Sequence, residues 1–288
     1  MATLVRVEGS SYRCAGARLL VSDHGESRGV LSGGCLEEEI TRLAMELFKP
    51  GANGPRLVTF DTRLLYGCHG RIHVLLERIP TQLLTTLHDA MRHRRAITIQ
   101  TIYAGHAPLG SALLIETDMP ADHALIEDVA PATRLLAFGT GPEIEPLRHF
   151  AAGLGWQIEV FAQPYEFPAD FEHDEQTVAI VMNHHVGRDC ATLERLLPLE
   201  LPYVGLLGPR ARRAEIFRIL DDRIGLDPAW MNAIHAPAGL DIGGDRPEEI
   251  ALSILAEACA ALHGRSGNSL RARRQPIHER ALPAAVPA

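Results

Sequence analysis

Lysine is nearly missing from this chain: of its 28 basic residues Lys49 alone is lysine and the rest are arginine. That leaves ample bidentate donors for phosphate or carboxylate, yet the formal net charge of −8 argues against a general nucleic-acid binder. No CxxC pair occurs, and the five cysteines (Cys14, Cys35, Cys68, Cys190, Cys259) are odd in number and widely scattered. A disulfide framework and a structural zinc site are therefore not expected. No apolar run approaches the roughly 18 residues of a membrane span. The segment Met1–Val7 reads as a strand, not a signal peptide, so the cytoplasm is the expected location. Internal repeats are also missing. What is present is an apolar fraction of 46% in 288 residues, enough for real cores in two domains of ordinary size.

The first part of the chain is strand-rich. Thr3–Val7, Arg18–Ser22, Arg28–Leu31, Arg56–Phe60 and Arg71–Glu77 have strand character. A helix follows Cys35, with Ile40, Leu43, Ala44 and Leu47 on one face, and stops near Lys49-Pro50-Gly51. Pro80 to Thr117 reads as a second lobe: a helix over Thr81–Arg94, then a strand pair, Ala96–Tyr103 and Ser111–Glu116. Met119–Pro131 is polar and punctuated by proline, as expected of a linker. From Arg134 strands alternate with helices: Leu135–Phe138, Gln157–Phe161, Val178–Met182 and Tyr203–Leu207, with helices over 142–154, 189–197, 209–220 and 247–263. This order predicts a parallel sheet with helices on both faces. Residues 264–288, rich in Gly, Ser, Pro and arginine, are expected to be a disordered tail. The predicted division is 1–118, a linker over 119–132, 133–263 and the tail.

Three clusters carry candidate chemistry. In Ser32-Gly33-Gly34-Cys35 a short strand runs through two glycines into a cysteine at a helix start. Free N–H groups there favour anions and lower a thiol's pKa, and glycine permits close approach. An activated thiol or anion cradle is one reading; a tight turn with a small buried cysteine is the other. Glu37, Glu38 and Glu39 oppose a thiolate. Cys68, in Gly67-Cys68-His69-Gly70, makes a plausible thiol pair with Cys35. Cys14 has Arg13 and Arg18 nearby, and these are also candidate phosphate donors. Cys190 and Cys259 fall on helical segments and read as packing residues.

The second half offers Gly139-Thr140-Gly141 at the position of a dinucleotide phosphate turn. The third small residue is replaced by Ile144, no acid closes the second strand (Gln163 stands near its place), and Glu143 and Glu145 add negative charge. His184 and His185 follow the third strand, where ligands bind in such sheets. His235 and Asp241 lie in a Gly- and Pro-rich loop that reads as either cleft or turn.

Seven segments in order together resemble the XdhC/CoxI family of xanthine dehydrogenase accessory proteins. They are Val7–Arg13 with Gly16-Ala17-Arg18, Leu31–Glu37, Gly67–Arg71, Phe138–Gly141, Tyr203–Gly208, Ile234–Gly243 and Pro247–Ala251. The resemblance covers residues 2 to 263; His69 stands where the family commonly has glycine. It implies an α/β protein: an N-terminal mixed α+β domain followed by a Rossmann-like parallel-sheet domain. It also implies a cytoplasmic, often dimeric chaperone that binds molybdenum cofactor (of the molybdopterin type), protects it, assists its sulfuration through a cysteine desulfurase, and delivers it to a xanthine-dehydrogenase-type molybdenum hydroxylase. On that footing Cys35, Cys68, Gly33, Gly34, Arg13, Arg18, Gly139, Gly141, His184 and Asp241 are the expected cofactor-binding residues, around a cleft between the domains. Two other classes stay open: an NAD(P)-dependent oxidoreductase on Gly139 and Gly141, and a metal- or thiol-dependent enzyme built from Cys35, Cys68, His69, His184 and His185.

Overall fold

The computed structural model describes residues 1–34, 36–52, 54–62, 70–115, 121, 123–225 and 227–274. These form two compact units, the first reaching Ala130 and the second running over Pro131–Arg274.

In the first unit, five strands form an antiparallel sheet in the order β3-β2-β1-β5-β4: β1 (Ala2–Gly9), β2 (Arg18–Val21), β3 (Ser27–Gly29), β4 (Arg56–Asp61) and β5 (Gly70–Leu76). Strand β3 is shorter than the Arg28–Leu31 expected, because the chain leaves the sheet at Gly29, where φ is +108°. Helix α1 (Glu37–Met45) then covers one face of the sheet. Its Ile40 and Ala44 pack with Leu31, Leu36, Leu47 and the inward Ala2, Leu4, Leu19, Ile72, Val74 and Leu76. Helical spacing on α1 meets two-residue alternation on β1 and β5, which is why the sequence closes this core. A second, three-stranded sheet, β7-β6-β8, combines β6 (Ile97–Ile102), β7 (Gly110–Leu113) and β8 (Ala124–Val129), preceded by helix α2 (Thr81–Arg92).

Strand β8 corrects the expected linker. It pairs with β6 from Ile97↔Val129 to Ile102↔Ala124, and its Glu127 accepts a 2.6 Å hydrogen bond from Arg18 on β2. Burial lifts the Glu127 carboxyl above its ordinary range, and Arg18 opposes that rise. A Cβ on Gly16 would meet Glu127 Oε1. A polar, proline-flanked composition concealed a strand whose partner lies in an earlier segment. Another carboxylate, Glu77, is buried at the end of β5. It accepts the Ser111 N–H (2.9 Å) and hydroxyl (2.6 Å), and so ties β5 to β7.

The second unit is a parallel sheet in the order β10-β9-β11-β12-β13, from β9 (Arg134–Phe138), β10 (Gln157–Phe161), β11 (Thr177–Val181), β12 (Val204–Leu206) and β13 (Ile234–His235). Both faces are covered, as predicted. Leu136, Phe138, Ala179 and Val181 point toward α4 (Val186–Leu196) and α5 (Arg210–Ile224). Leu135, Ala137, Val178 and Ile180 point toward α3 (Ile144–Gly153) and α7 (Pro247–Leu262). Helix α6 (Pro228–Ala233) and β13 were not expected; both are too short to show a period. Of the expected tail, residues 264–274 are described and include a 3-10 turn at Leu270–Ala272; the rest lies outside the described residues. Among the described residues no helix is long and apolar enough to cross a membrane.

Candidate functional site

In the first sheet, strand register decides where the motif loops leave. β1 and β4 end, and β5 begins, at one end of the sheet, where Gly9 faces Gly70 and Arg71 pairs with both Glu8 and Asp61; β2 begins and β3 ends toward the other end, opposite Thr3 and Ala2. Of the three motif loops, those over 10–17 and 62–69 leave the sheet at the Gly9–Gly70 end, whereas the 30–36 loop leaves β3 opposite Leu19 at the other end, and a Cβ on Gly33 would lie 3.7 Å from the Tyr12 ring of the first loop. Gly9 pairs with Gly70, and a Cβ on Gly70 would fall 2.3 Å from the Ser10 carbonyl oxygen. Thr62 closes the neck of the third loop, its N–H (3.0 Å) and hydroxyl (2.7 Å) both donating to the Gly70 carbonyl. Cys35, Cys68 and His69 lie outside the described residues; Cys35 falls between Gly34 and Leu36, and Cys68 two residues before Gly70.

The Gly33-Gly34 loop is built around Glu37. Its carboxylate accepts the Leu31 N–H (3.0 Å), the Ser32 N–H (2.7 Å) and the Ser32 hydroxyl (2.6 Å). Ser32 Oγ in turn accepts the Leu36 N–H at 3.0 Å. Burial alone would raise this carboxyl; the hydrogen bonds outweigh it and hold Glu37 below the ordinary carboxylate range. Glu39 is paired to Arg42 at 2.7 Å. Of the three glutamates expected to oppose a thiolate, Glu37 and Glu39 thus have separate partners, and Glu38 is exposed. Gly33 (φ +64°) and Gly34 (φ +101°) are exposed. Tyr12, also exposed, holds its ring 3.7 Å from where a Gly33 Cβ would be, and space beside Gly34 is open.

The two arginines divide. Arg13 is exposed and makes no ion pair among the described residues. Arg18, expected as an anion donor, is occupied by Glu127 and the Gly16 carbonyl. Cys14 is exposed, whereas burial pushes the thiols of Cys190 and Cys259 up, in keeping with packing roles.

In the second unit, the chain passes from β9 to β10 on one side and from β11 to β12 on the other, so the topological switch point lies between β9 and β11, where such sheets bind ligands. Gly139 (φ +139°) is required by packing: a Cβ there would meet the Met182 carbonyl oxygen at 2.4 Å. At Gly141 a Cβ would meet Glu143 Oε2, and His184 Nε2 at 3.1 Å. Glu143 is the N-cap of α3 but makes no capping bond, and its buried Oε2 has no hydrogen-bond partner among the described residues. The exposed, positive-φ His184 lies beside it, with Nε2 at 3.9 Å. A carboxylate thus holds the place where a pyrophosphate needs donors. An unmatched buried acceptor costs on the order of 1–3 kcal/mol. His185 caps α4, accepting the Arg188 N–H at 3.4 Å.

Behind this edge a network fixes the strand ends. Asp189, fully buried, accepts from Asn183 Nδ2 at 3.1 Å and pairs with Arg212. Glu257 accepts the Tyr203 hydroxyl (2.8 Å) and Gly239 N–H (2.7 Å) and lies 3.2 Å from His235 Nδ1. Burial, then Glu257, drives the Tyr203 phenol well above its ordinary pKa. Asp241, farther along this loop, is exposed with no ion pair among the described residues. Sequence reasoning missed Glu257 as an organiser because a glutamate inside an amphipathic helix carries no local signal. Among the described residues no group of three or more His, Cys, Asp or Glu is placed to hold a metal.

Fold and site together define a class: a two-unit α/β protein with glycine-rich loops on an antiparallel sheet, followed by a doubly wound parallel sheet. The XdhC and CoxI family matches residues 1–61, and the XdhC Rossmann domain matches residues 135–258. The chain belongs to the XdhC and CoxI family. It is 29% identical to a protein of Bacillus subtilis (strain 168) named as a probable xanthine dehydrogenase subunit, over 89% of this chain and 91% of that protein. It is 25% identical to the molybdenum cofactor insertion chaperone PaoD of Escherichia coli (strain K12), over 91% and 83%. A crystal structure described as a xanthine dehydrogenase from Bacillus halodurans superposes with a TM-score of 0.76 at 28% identity, covering 92% of this chain and 91% of that one.

Proposed function

We propose that this protein is a molybdenum-cofactor-binding accessory protein that shelters the cofactor, aids its sulfuration and delivers it to a xanthine-dehydrogenase-type hydroxylase. The observation that supports the reading is the exposed Gly33-Gly34 turn, anchored by Glu37 and flanked by Tyr12 of the 10–17 loop, with Cys35 next in sequence. The relatives' names point to the same cargo.

The cargo has a phosphate, a polar ring system and an oxidation-prone dithiolene. Around Gly34 the backbone is exposed with open space beside it, and Arg13 carries an uncommitted guanidinium for the phosphate. Cys35 and Cys68 are the proposed thiols for the metal or its terminal sulfur. Arg18 contributes by fixing the 10–17 loop onto β8. The Gly139–Gly141 turn, His184 and Asp241 are the second unit's proposed cofactor contacts. The reading carries with it a cysteine desulfurase as sulfur donor, a hydroxylase client as recipient, and a cytoplasmic homodimer.

The test is cofactor retention and client activation. Purified Cys35→Ala is expected to retain at least tenfold less molybdenum cofactor than wild type and to fail to activate an apo-hydroxylase, with Cys68→Ala weakened in the same direction. Wild-type retention and activation by both variants would sink the reading.

A further inference from the structure

We propose that the Glu143 carboxylate at the β9–β11 switch point is a recognition group for a flat heterocycle presenting two adjacent N–H donors, the 2-amino-4-oxopyrimidine edge shared by pterins and guanine. This deepens the cofactor-binding reading at the turn assigned to it and rests on that reading, though not on its thiols, since the edge contains neither metal nor sulfur.

Three observations converge. Glu143 is 6% exposed, and its Oε2 is enclosed without a hydrogen-bond partner among the described residues. Buried carboxylates are normally matched by donors, so an unmatched one at a ligand-binding position points to a donor that arrives with the ligand. The position is the one where doubly wound sheets take ligands, beside the first turn of α3. And Gly141 has no side chain between the turn and this oxygen; a Cβ would lie against Glu143 Oε2.

The chemistry of the group selects the ligand. A carboxylate has acceptors only. It matches two parallel N–H donors, mismatches the donor–acceptor edge of adenine, and repels a pyrophosphate. His184 lies beside the oxygen, its Nε2 3.9 Å away and its side chain half-exposed. Asn183 and Asp189 hold the end of β11 next to it.

Calorimetric titration of the full chain with neopterin, guanosine, adenosine and inorganic pyrophosphate tests this. Neopterin or guanosine is expected to bind at least tenfold more tightly than adenosine, with no pyrophosphate binding. Glu143→Gln, which replaces one acceptor by a donor, is expected to lose at least tenfold for the preferred ring. Gly141→Ala, which crowds the oxygen, is expected to lose affinity as well, and it keeps the test open should the first variant not fold. Tighter binding of neopterin assigns the edge to a pterin, and tighter guanosine to a purine nucleoside; either supports the proposal. Equal binding of adenosine, binding of pyrophosphate, an unaffected Glu143→Gln, or zinc binding lost in Glu143→Gln with neither ring bound would each overturn it. Loss of ring binding with cofactor retention by Cys35 intact would separate this site's failure from that of the thiol reading.

Discussion

Glu37 shows how one side chain converts a glycine pair into a shaped loop. Gly33 and Gly34 supply positive φ angles but no rigidity of their own. Rigidity comes from the carboxylate that gathers two backbone N–H groups and a hydroxyl from the preceding turn. Removing it leaves the Leu31 and Ser32 amides without their acceptor. Glu37→Ala is expected to cost about 2 kcal/mol, as the loss of charge-assisted bonds does, read as a lower urea midpoint at neutral pH. The pH dependence has a definite sign. The folded carboxyl titrates below its unfolded value, so its contribution is complete above the unfolded value, near 4.5, and is lost as pH falls through the folded one. The stability difference between wild type and variant should therefore shrink on acidification. A gap that widened toward acid would contradict the assignment of Glu37 as the loop's anchor.

Among elements, the two glycines of the phosphate-like turn have opposite reasons for being glycine. Gly139 combines a positive φ with backbone contact to the end of β11. Gly139→Ala is expected to destabilise by more than about 3 kcal/mol. Gly141 has no positive φ, and an added methyl group meets only side chains. Gly141→Ala is expected to fold with a loss of about 1 kcal/mol; paired thermal melts separate the two, and equal melting temperatures would erase the distinction. The same contrast explains what the sequence disclosed. The parallel sheet was legible because β9 and β11 are continuous apolar runs flanked by helical periods. The incomplete dinucleotide pattern was legible too, through Ile144 and Gln163. Strand β8 was not, because its evidence lies in Arg18 and Gly16, more than a hundred residues earlier. For the same reason Arg18 looked like a ligand donor: a solitary arginine beside a glycine-rich loop does not announce that a distant glutamate already holds it. Glu143 was visible as a charge, but not as an acceptor without a donor, since that depends on what packs around it.

At the scale of the molecule, each apolar core stays within one unit. The cluster under α1 draws on residues 2 to 76; the clusters on the two faces of the parallel sheet draw only on residues beyond 134. A sheet covered on both faces by its own helices satisfies its hydrophobic requirement locally, which is the condition for independent folding. Two of its buried carboxylates are also satisfied locally: Asp189 by Asn183 and Arg212, and Glu257 by Tyr203 and Gly239. A fragment of residues 131–274 is therefore expected to be monodisperse and to unfold in a single cooperative transition, with thermal and urea unfolding coincident by circular dichroism and tryptophan fluorescence. Trp156 and Trp230, the chain's two tryptophans, both lie within it and both pack against its cores. Trp156 reports the α3–α7 face and Trp230 the α4–α5 face, so Trp156→Phe and Trp230→Phe fragments each follow one side. Coincident transitions from both would establish one folding unit. A broad or biphasic melt, or a fragment that aggregates at once, would mean that this sheet needs the first unit to complete its fold.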